Sequence, residues 1–470
     1  MKQIESIKRV FVLCLGLMGL AMQTLIYGWF WFKVYYPIAN APRYADGYFI
    51  GPGLHLYFRG HLLVIILYFV LMLFFSNTYG GLKIGYLKAM DIFLSQIFAL
   101  LMVNGISYFQ IALMSNRLIP IYPILEILAV QLIISFLWAV FTNWLYRAIF
   151  PARQMLLVSG EYPVDDILRK FNSRQDKYNI VKCMNISEGL MNIERECLER
   201  YDAVVIWDIP TKDRNKLLKF LYSNSIRVYM MPKITDVLVK GSTQMHLFDT
   251  PVLLLREYYL KVEERAIKRM IDIICSLILI ILTSPIMVIT AIIIKISDGG
   301  PVLYKQVRCT LNQKEFKIMK FRSMRVDAEK DGVARLATKN DSRITPFGKF
   351  IRACRIDELP QLFNILKGEM SFIGPRPERP EIIEQYMETM PEFAFRMKVK
   401  AGLAGYAQVY GKYNTTPYDK LKLDLAYIEN YSVWLDFKLM LLTLKILFTP
   451  DATEGVEETQ TTALKNSGEK

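Results

Sequence analysis

The hydrophobic pattern divides the chain into long apolar runs at its start, short alternating runs in its middle and a mixed polar stretch towards its end. Val10 to Trp31 is uncharged, follows Lys8 and Arg9, and is long enough to cross the ~30 Å hydrocarbon core as a helix. It lacks a small-residue cleavage site, so it reads as an uncleaved span rather than a signal peptide. Leu62 to Phe75 is purely apolar but short, Ile92 to Met114 is long, and Ile127 to Leu145 completes four predicted spans. An even number puts both ends of the region, 1–150, on one side. Lys2, Lys8 and Arg9 precede the first span, Lys83 and Lys88 separate the second and third, and Arg147 and Arg153 follow the fourth, which points to the cytoplasm. Lys33, Arg43, Arg59 and Arg117 on the other side make the bias modest.

From about Arg153 the period changes. Met155 to Ser159, Ala203 to Trp207 and Arg227 to Met231 read as buried strands, with helices near 164–171, 193–200 and 212–222 between them. Such alternation predicts a small parallel, Rossmann-like α/β domain over 151–260. Its first turn, Val158-Ser159-Gly160-Glu161, lacks the GxGxxG fingerprint, so no dinucleotide site is expected and a structural or regulatory role is the default. Met270 to Ile296 is a fifth apolar segment with Ser284-Pro285 near its middle. The stretch from Asp272 to the proline spans only ~18 Å, about half a bilayer. Proline removes a backbone donor and kinks a helix, and an adjacent serine can satisfy the freed carbonyl. A kinked crossing would place everything after it outside; a segment that dips in and returns would keep the rest cytoplasmic. Residues 261–450 form the third region, ending in Trp434 to Phe448, whose apolar positions suggest an interfacial helix or, alternatively, core packing. The Thr-, Glu- and Lys-rich tail 451–470 reads as disordered.

Composition agrees with a membrane protein: 53% of the 470 residues are hydrophobic. The formal net charge of +14 fits anionic lipid, phosphorylated substrates or nucleic acid. No zinc finger, basic recognition helix or aromatic RNA-binding signature is present, so nucleic acid falls behind the other two. The six cysteines have no metal-ligand spacing and read as free thiols in a reducing compartment. The histidines are His55, His61 and His246, so chemistry beyond residue 246 must fall to carboxylates, arginines and lysines.

The densest cluster of such residues runs from Arg352 and Arg355 through Asp357-Glu358 to Gly374-Pro375-Arg376-Pro377. A carboxylate can attack phosphorus to give an acyl phosphate, a neighbouring one can hold Mg²⁺, and arginine forks bind the remaining oxygens. An isolated Asp-Glu pair would more often be a solvated helix turn. The ordered set around it is more specific: Lys268-Arg269-Met-Ile-Asp272, Ser284-Pro285, Gln306-Val-Arg308, Phe316-Lys317-Ile-Met-Lys320-Phe321-Arg322, Asp357-Glu358-Leu-Pro-Gln, Gly374-Pro-Arg-Pro, Gly402-Leu-Ala-Gly405-Tyr-Ala-Gln408 and Asp424-Leu-Ala-Tyr427.

These motifs closely resemble the bacterial polyprenyl-phosphate hexose-1-phosphate transferases, which initiate exopolysaccharide and capsule assembly, and the multi-span preface resembles their long subgroup. The resemblance implies transfer of a sugar 1-phosphate from a UDP-hexose to undecaprenyl phosphate with release of UMP. It implies Asp357 as the nucleophile that carries the phosphosugar and Glu358 as the Mg²⁺ ligand. Lys317 or Lys320 and Arg376 match phosphate-contacting positions, and Arg322, Arg352, Arg355 and Gln408 are further candidates for phosphate or substrate contact. It also implies a re-entrant helix over about 268–296, broken at Ser284 and Pro285, which keeps a mixed, mainly α catalytic domain on the cytoplasmic face of the bacterial inner membrane. Lys268, Arg269 and Asp272 read as membrane-entry anchors, with anionic headgroups the simplest partners of the two cations, and Asp424 is a weaker metal or capping candidate. Ala401 departs from the proline usual in the family and puts sugar specificity in question; glucose or galactose leads, with N-acetylated sugars behind. A homo-oligomer and polysaccharide-assembly proteins are possible partners. Two other classes compete: a membrane sensor or scaffold, against which the intact acid pair argues, and a flippase, for which the spans offer only Glu126 near an end.

Overall fold

The computed structural model describes residues 2–45, 48–51, 56–199, 201–255, 260–325, 341, 343–411 and 415–446, so the tail 451–470 lies outside the described residues. The chain forms two compact units, Met1–Met231 and Pro232–Lys470.

The first unit holds four helices long and apolar enough to cross a bilayer: Lys2–Phe30, Phe58–Tyr79, Ala89–Ser115 and Tyr122–Ile149. Each outruns its apolar core because a helix keeps its hydrogen bonds internal and continues into polar flanks. The first passes through a π-helical turn, Trp31–Tyr35, into Tyr36–Asn40. The second takes in residues on both sides of its short apolar run and stops at Gly80, whose φ of 89° ends a helix at no steric cost. Leu25, Leu63, Phe109, Ile133 and Leu137 face outward. Inside, among buried apolar side chains such as Leu20, Met72 and Leu100, runs a polar, uncharged network. The Gln131 amide donates to the Tyr68 hydroxyl (2.8 Å), its oxygen accepts from Asn104 (2.8 Å), and Gln23 donates to Ser135 (2.9 Å). Tyr27 stacks on Tyr68 with centroids 3.8 Å apart. Apolar faces in lipid give little preference for one helix pairing over another, whereas this network fits only one arrangement of all four.

The same unit contains a four-stranded parallel sheet in the order Tyr178–Asn185, Arg153–Ser159, Ala203–Trp207, Arg227–Met230. Helices Asp165–Asn172, Leu190–Cys197 and Thr211–Ser223 connect the strands. Both sheet faces are covered, so the central strands read as continuous apolar runs. Leu156, Val158, Val204 and Ile206 pack on Ile193, Leu217 and Leu221; Met155, Leu157 and Val205 pack on Ile167. Gly160 follows the first strand because a Cβ there would stand 1.9 Å from the Asp208 carbonyl oxygen.

The second unit begins earlier than the composition suggests: Ile234–Gly241 buries Val237 in one core with Leu362, Phe393 and Leu421. After the hairpin Thr243–Leu247/Thr250–Leu254 comes a 37-residue helix, Val262–Asp298, unbroken through Pro285. The carbonyl that Pro285 leaves without an N–H is that of Ile281, and it accepts the Ser284 hydroxyl at 2.9 Å.

This long helix is fastened to its own unit near both ends. Lys268, expected at lipid headgroups, is instead buried, its ammonium donating to Asp436 (2.5 Å), the Ile373 carbonyl (2.8 Å) and the Tyr427 hydroxyl (3.3 Å). Arg269 donates at 2.6 Å to the carbonyls of Ile365 and Leu366 in the last turn of helix Gln361–Lys367. Asp272 pairs with neither cation; it accepts from the Ser371 hydroxyl (3.0 Å) and the Phe372 N–H (2.9 Å). At the far end Ile294 is buried against Phe321 and Ile351. Between these fastenings Ile278, Ile281, Leu282, Ile286 and Ile289 are exposed. Helix Val433–Ile446 combines the two readings open for it, turning Asp436, Leu439 and Leu442 inward and Trp434 and Phe437 outward.

Lys268→Met strands the Asp436 carboxylate in the core, so it is expected to cost on the order of 3–5 kcal/mol. Lys268→Met/Asp436→Leu removes both charges and should recover most of that loss. Denaturant unfolding of the detergent-solubilised chain, followed by tryptophan fluorescence, measures both; equal losses would show that the pair is not the fastening.

Candidate active site

Asp357 and Glu358 sit on a single 3₁₀ turn, Ile356–Glu358, between two helices. The first, Pro346–Ala353, is capped by the Thr345 hydroxyl, which accepts from the Gly348 N–H at 2.9 Å. It is followed by Arg355 in the left-handed conformation (φ 57°), which costs an L-residue roughly 1–2 kcal/mol and turns the chain sharply. The second, Gln361–Lys367, ends at Gly368 with φ 84°. The acids are thereby held on a short rigid corner.

Three cations from three elements converge on Glu358. Lys320 donates to its Oε1 at 2.9 Å, Arg376 donates to the same atom at 3.3 Å, and Arg355 lies 3.8 Å from Oε2. Lys320 lies on Glu315–Phe321, which pairs antiparallel with Leu303–Cys309. It shares the strand face of buried Phe316 and Ile318, whereas Lys317 is on the exposed opposite face. Asn364 docks this strand on the acid-bearing segment: its oxygen accepts from the Met319 N–H (3.0 Å), and its amide donates to the Lys317 carbonyl (2.9 Å) and to Glu369 (2.6 Å).

Arg376 is set by the loop that follows strand Ser371–Ile373. That strand pairs in parallel with Gly402–Ala404, and the Gly402 N–H donates to the Pro375 carbonyl at 2.9 Å. A Cβ at Gly374 would come 2.3 Å from the Lys400 carbonyl oxygen, so only glycine permits this approach. The Arg376 carbonyl accepts from Arg396 (2.9 Å), which is buried and paired with Asp424 at 2.8 Å. Glu378 completes this support, pairing with Lys420 and lying 3.6 Å from both Arg396 and Arg308. Burial pushes the Glu378 carboxyl upward, but Lys420 and Arg396 outweigh it and bring its pKa to about 2.

The two acids are electrostatically unequal. Burial raises the pKa of both, but Lys320, Arg376 and Arg355 hold Glu358 well below the usual carboxylate range. Asp357 is 8% exposed and its carboxylate accepts no hydrogen bond from a described residue. Burial first and the Glu358 charge second raise its pKa to about 6, against the opposing fields of Lys320, Arg352 and Arg355.

The structure therefore gathers Asp357, Glu358, Lys320, Arg355 and Arg376, with Arg352 close enough to act on Asp357. It does not place Lys317 with them. Arg322 is buried, its N–H bonded to the Val302 carbonyl. Gln408 lies on Tyr406–Tyr410 with its side-chain oxygen buried and unpaired. Asp424 lies in the support behind Arg376, its carboxylate accepting from buried Arg396 at 3.0 Å. Ala401 has a use that proline lacks, since its N–H donates to the Thr310 hydroxyl at 3.1 Å, so this loop is tied rather than loosened. Arg396, Glu378 and Asn364 carry much of the support without a local sequence signal beyond their nearness to the motifs.

A buried acid pair of unequal pKa, ringed by lysine and arginine, makes a candidate site for a phosphorylated ligand on a protein with helices long and apolar enough to cross a membrane. Residues 263–450 match the family model described as bacterial sugar transferase. Over 259 residues the chain is 38% identical to the UDP-N-acetylgalactosamine-undecaprenyl-phosphate N-acetylgalactosaminephosphotransferase of Aeromonas hydrophila, covering 53% of this chain and 60% of that one. It is 36% identical to the UDP-glucose:undecaprenyl-phosphate glucose-1-phosphate transferase of Escherichia coli (strain K12), covering 49% of this chain and 50% of that one. It is 37% identical to the protein of the same description from Caulobacter vibrioides, covering 39% of this chain and 70% of that one. The matches to the Aeromonas and Escherichia proteins thus span between half and 60% of their lengths. The chain belongs to the bacterial sugar transferase family.

Because the pKa of Asp357 lies higher folded than unfolded, its ionised form destabilises the fold above about pH 6. Asp357→Asn is expected to be more stable than the parent by on the order of 2 kcal/mol at pH 8, with the difference vanishing below about pH 4. Thermal melts across that range measure it, and a destabilised variant at pH 8 would contradict the assignment.

Proposed function

We propose that this chain transfers a hexose 1-phosphate from a UDP-sugar to undecaprenyl phosphate through a phosphosugar bound to Asp357. The observation that carries this reading is the buried Asp357 carboxylate, which accepts no hydrogen bond from a described residue, beside a Glu358 whose charge gathers three cations. Attack by Asp357 on the sugar-bearing phosphorus of UDP-hexose forms an acyl phosphate and breaks the bond to the bridging oxygen, which leaves with UMP. A phosphate oxygen of undecaprenyl phosphate then attacks the same phosphorus, and the bond to Asp357 breaks to return its carboxylate. Lys320, Arg355 and Arg376 bind and neutralise the phosphate oxygens in both steps. One site thus serves a soluble donor and a lipid acceptor in turn.

The acid pair fits Mg²⁺. The ion is commonly held by one or two carboxylates together with substrate phosphates, and Glu358 stays ionised throughout the working range. No cluster of three acidic, cysteine or histidine ligands occurs among the described residues. Glu358 would hold the ion, which would supply further neutralisation of the phosphate groups.

The donor is cytoplasmic, so we place the second unit on the cytoplasmic face of the bacterial inner membrane, with the helix Val262–Asp298 bending at Ser284-Pro285 to enter and return. Two observations support this topology: both ends of the helix are fastened to the same unit, and the exposed apolar residues lie between the fastenings. A crossing would pull one set of contacts apart. In the cell this would be the first membrane step of exopolysaccharide, capsule or O-antigen synthesis, with glucose or galactose favoured as the sugar.

Purified chain with radiolabelled UDP-glucose, UDP-galactose or UDP-N-acetylgalactosamine, Mg²⁺ and undecaprenyl phosphate should yield labelled lipid and UMP from one of them. Asp357→Asn should lose at least about a thousandfold in rate and retain no label on protein, as expected for a lost nucleophile; full activity would sink the proposal. In the parent, label transfer to protein should rise with pH through about 6, because Asp357 must be ionised to attack. Lys314→Cys in a cysteine-free background should react with an impermeant reagent only from the cytoplasmic side; reaction from outside alone would overturn the re-entrant topology.

A further inference from the structure

The end of the four-helix bundle that adjoins the parallel sheet carries a knot of positive charge that the transfer chemistry does not use. Lys8 lies in the first helix, Arg147 in the last turn of the fourth, Arg153 at the start of the sheet, and Arg174 and Lys177 before the strand Tyr178–Asn185. Asp176 stands among them, but it is already bridged by Arg174 (2.9 Å) and Arg147 (3.2 Å). Lys177 is 7% exposed, and its ammonium makes no hydrogen bond or ion pair with a described residue. It lies 3.7 Å from the centroid of the Tyr86 ring and 5.1 Å from that of Tyr178. Lys8 likewise has no carboxylate partner among the described residues and sits 4.9 Å and 5.0 Å from the rings of Tyr146 and Phe150.

Aromatic faces recover only part of what an ammonium loses with its water, and a buried cation ordinarily has a paired anion. Here the nearest fields deepen the deficit. Burial first, then Arg174, Lys8 and Arg153, lower the Lys177 pKa to about 8, with Asp176 opposing them. Position suggests what is missing. Lys8, Tyr146 and the Tyr86 loop between the second and third spans all belong to one end of the bundle, where the apolar length of each helix gives out. That is headgroup depth.

We propose that this junction is a binding site for the phosphate of an anionic lipid headgroup, with Lys8 and Lys177 as its direct cations and Arg147, Arg153 and Arg174 around them. A free phosphate presents the same oxygens, and the lipid source follows from the position at the bundle end.

Native mass spectrometry of the full chain in detergent, titrated separately with phosphatidylglycerol, phosphatidylcholine and inorganic phosphate, tests this. The parent should retain phosphatidylglycerol at least about tenfold more strongly than phosphatidylcholine, as one charge-assisted contact implies. Lys8→Met/Lys177→Met should abolish that preference, and Lys177→Arg should keep it. Equal retention of the two lipids by the parent overturns the site whether or not any variant folds, as does an undiminished preference in the double variant. Binding of inorganic phosphate without preference for phosphatidylglycerol overturns the lipid source.

Discussion

Glu358 is a buried anion with three cations around it, and much of the second unit exists to deliver them. Lys320 arrives on a hairpin that Asn364 ties to the acid-bearing segment. Arg376 arrives on a loop pinned by a parallel strand pair and by buried Arg396. Arg355 arrives through a left-handed residue between two helices. A buried charge left unpaired costs several kcal/mol, so a displacement of any one element exposes Glu358 to that cost. The charge that serves the proposed chemistry also reports whether its surroundings are assembled. Asp357 is what remains: the cations are committed to its neighbour, so it is left buried, without a hydrogen bond from a described residue, and with its pKa raised to about 6.

The long helix couples this centre to the apolar surface. Its N-terminal half holds Ser371 and Phe372 through Asp272, and those residues begin the strand that leads into Gly374-Pro-Arg-Pro. Its C-terminal half packs Ile294 on Phe321, one residue from Lys320, and on Ile351 in the helix before the acids. Two of the three cation-bearing elements, and the helix before the acid turn, are therefore braced by the same helix that carries the exposed stripe around Pro285. In the proposed topology, membrane insertion and alignment of the site become one event.

Much of this was legible in sequence where one period dominates. Three of the four apolar runs lie inside observed helices and the first does so up to Trp31, which opens the π-helical turn, while Ala203–Trp207 falls on its strand because a strand covered on both faces has no alternation to disguise it. Tyr178–Asn185 carries no such signal in sequence: it lies at the sheet edge, and Asn179, Lys182 and Asn185 interrupt its apolar pattern. The acid pair and its arginines could be read from spacing, but Lys320 and Lys317 were separable only once the strand's inward face was known. Lys268, Arg269 and Asp272 look like lipid anchors in sequence because it shows charges beside an apolar run and not the distant Asp436 and helix end to which the cations donate, nor the Phe372 N–H from which Asp272 accepts.

Arg355 shows how far the site departs from what stability alone would select. A left-handed residue favours glycine, and an L side chain there costs roughly 1–2 kcal/mol. Its guanidinium, 3.8 Å from Glu358 and part-exposed, contributes less than a close buried pair would. Held against the acids in the resting protein, it is a weak bond on a strained residue. Its value lies in the field it adds at the Asp357–Glu358 corner, where it lowers the pKa of both acids. A phosphate entering that corner would meet an arginine already fixed by its backbone, so the strain is spent before the substrate arrives.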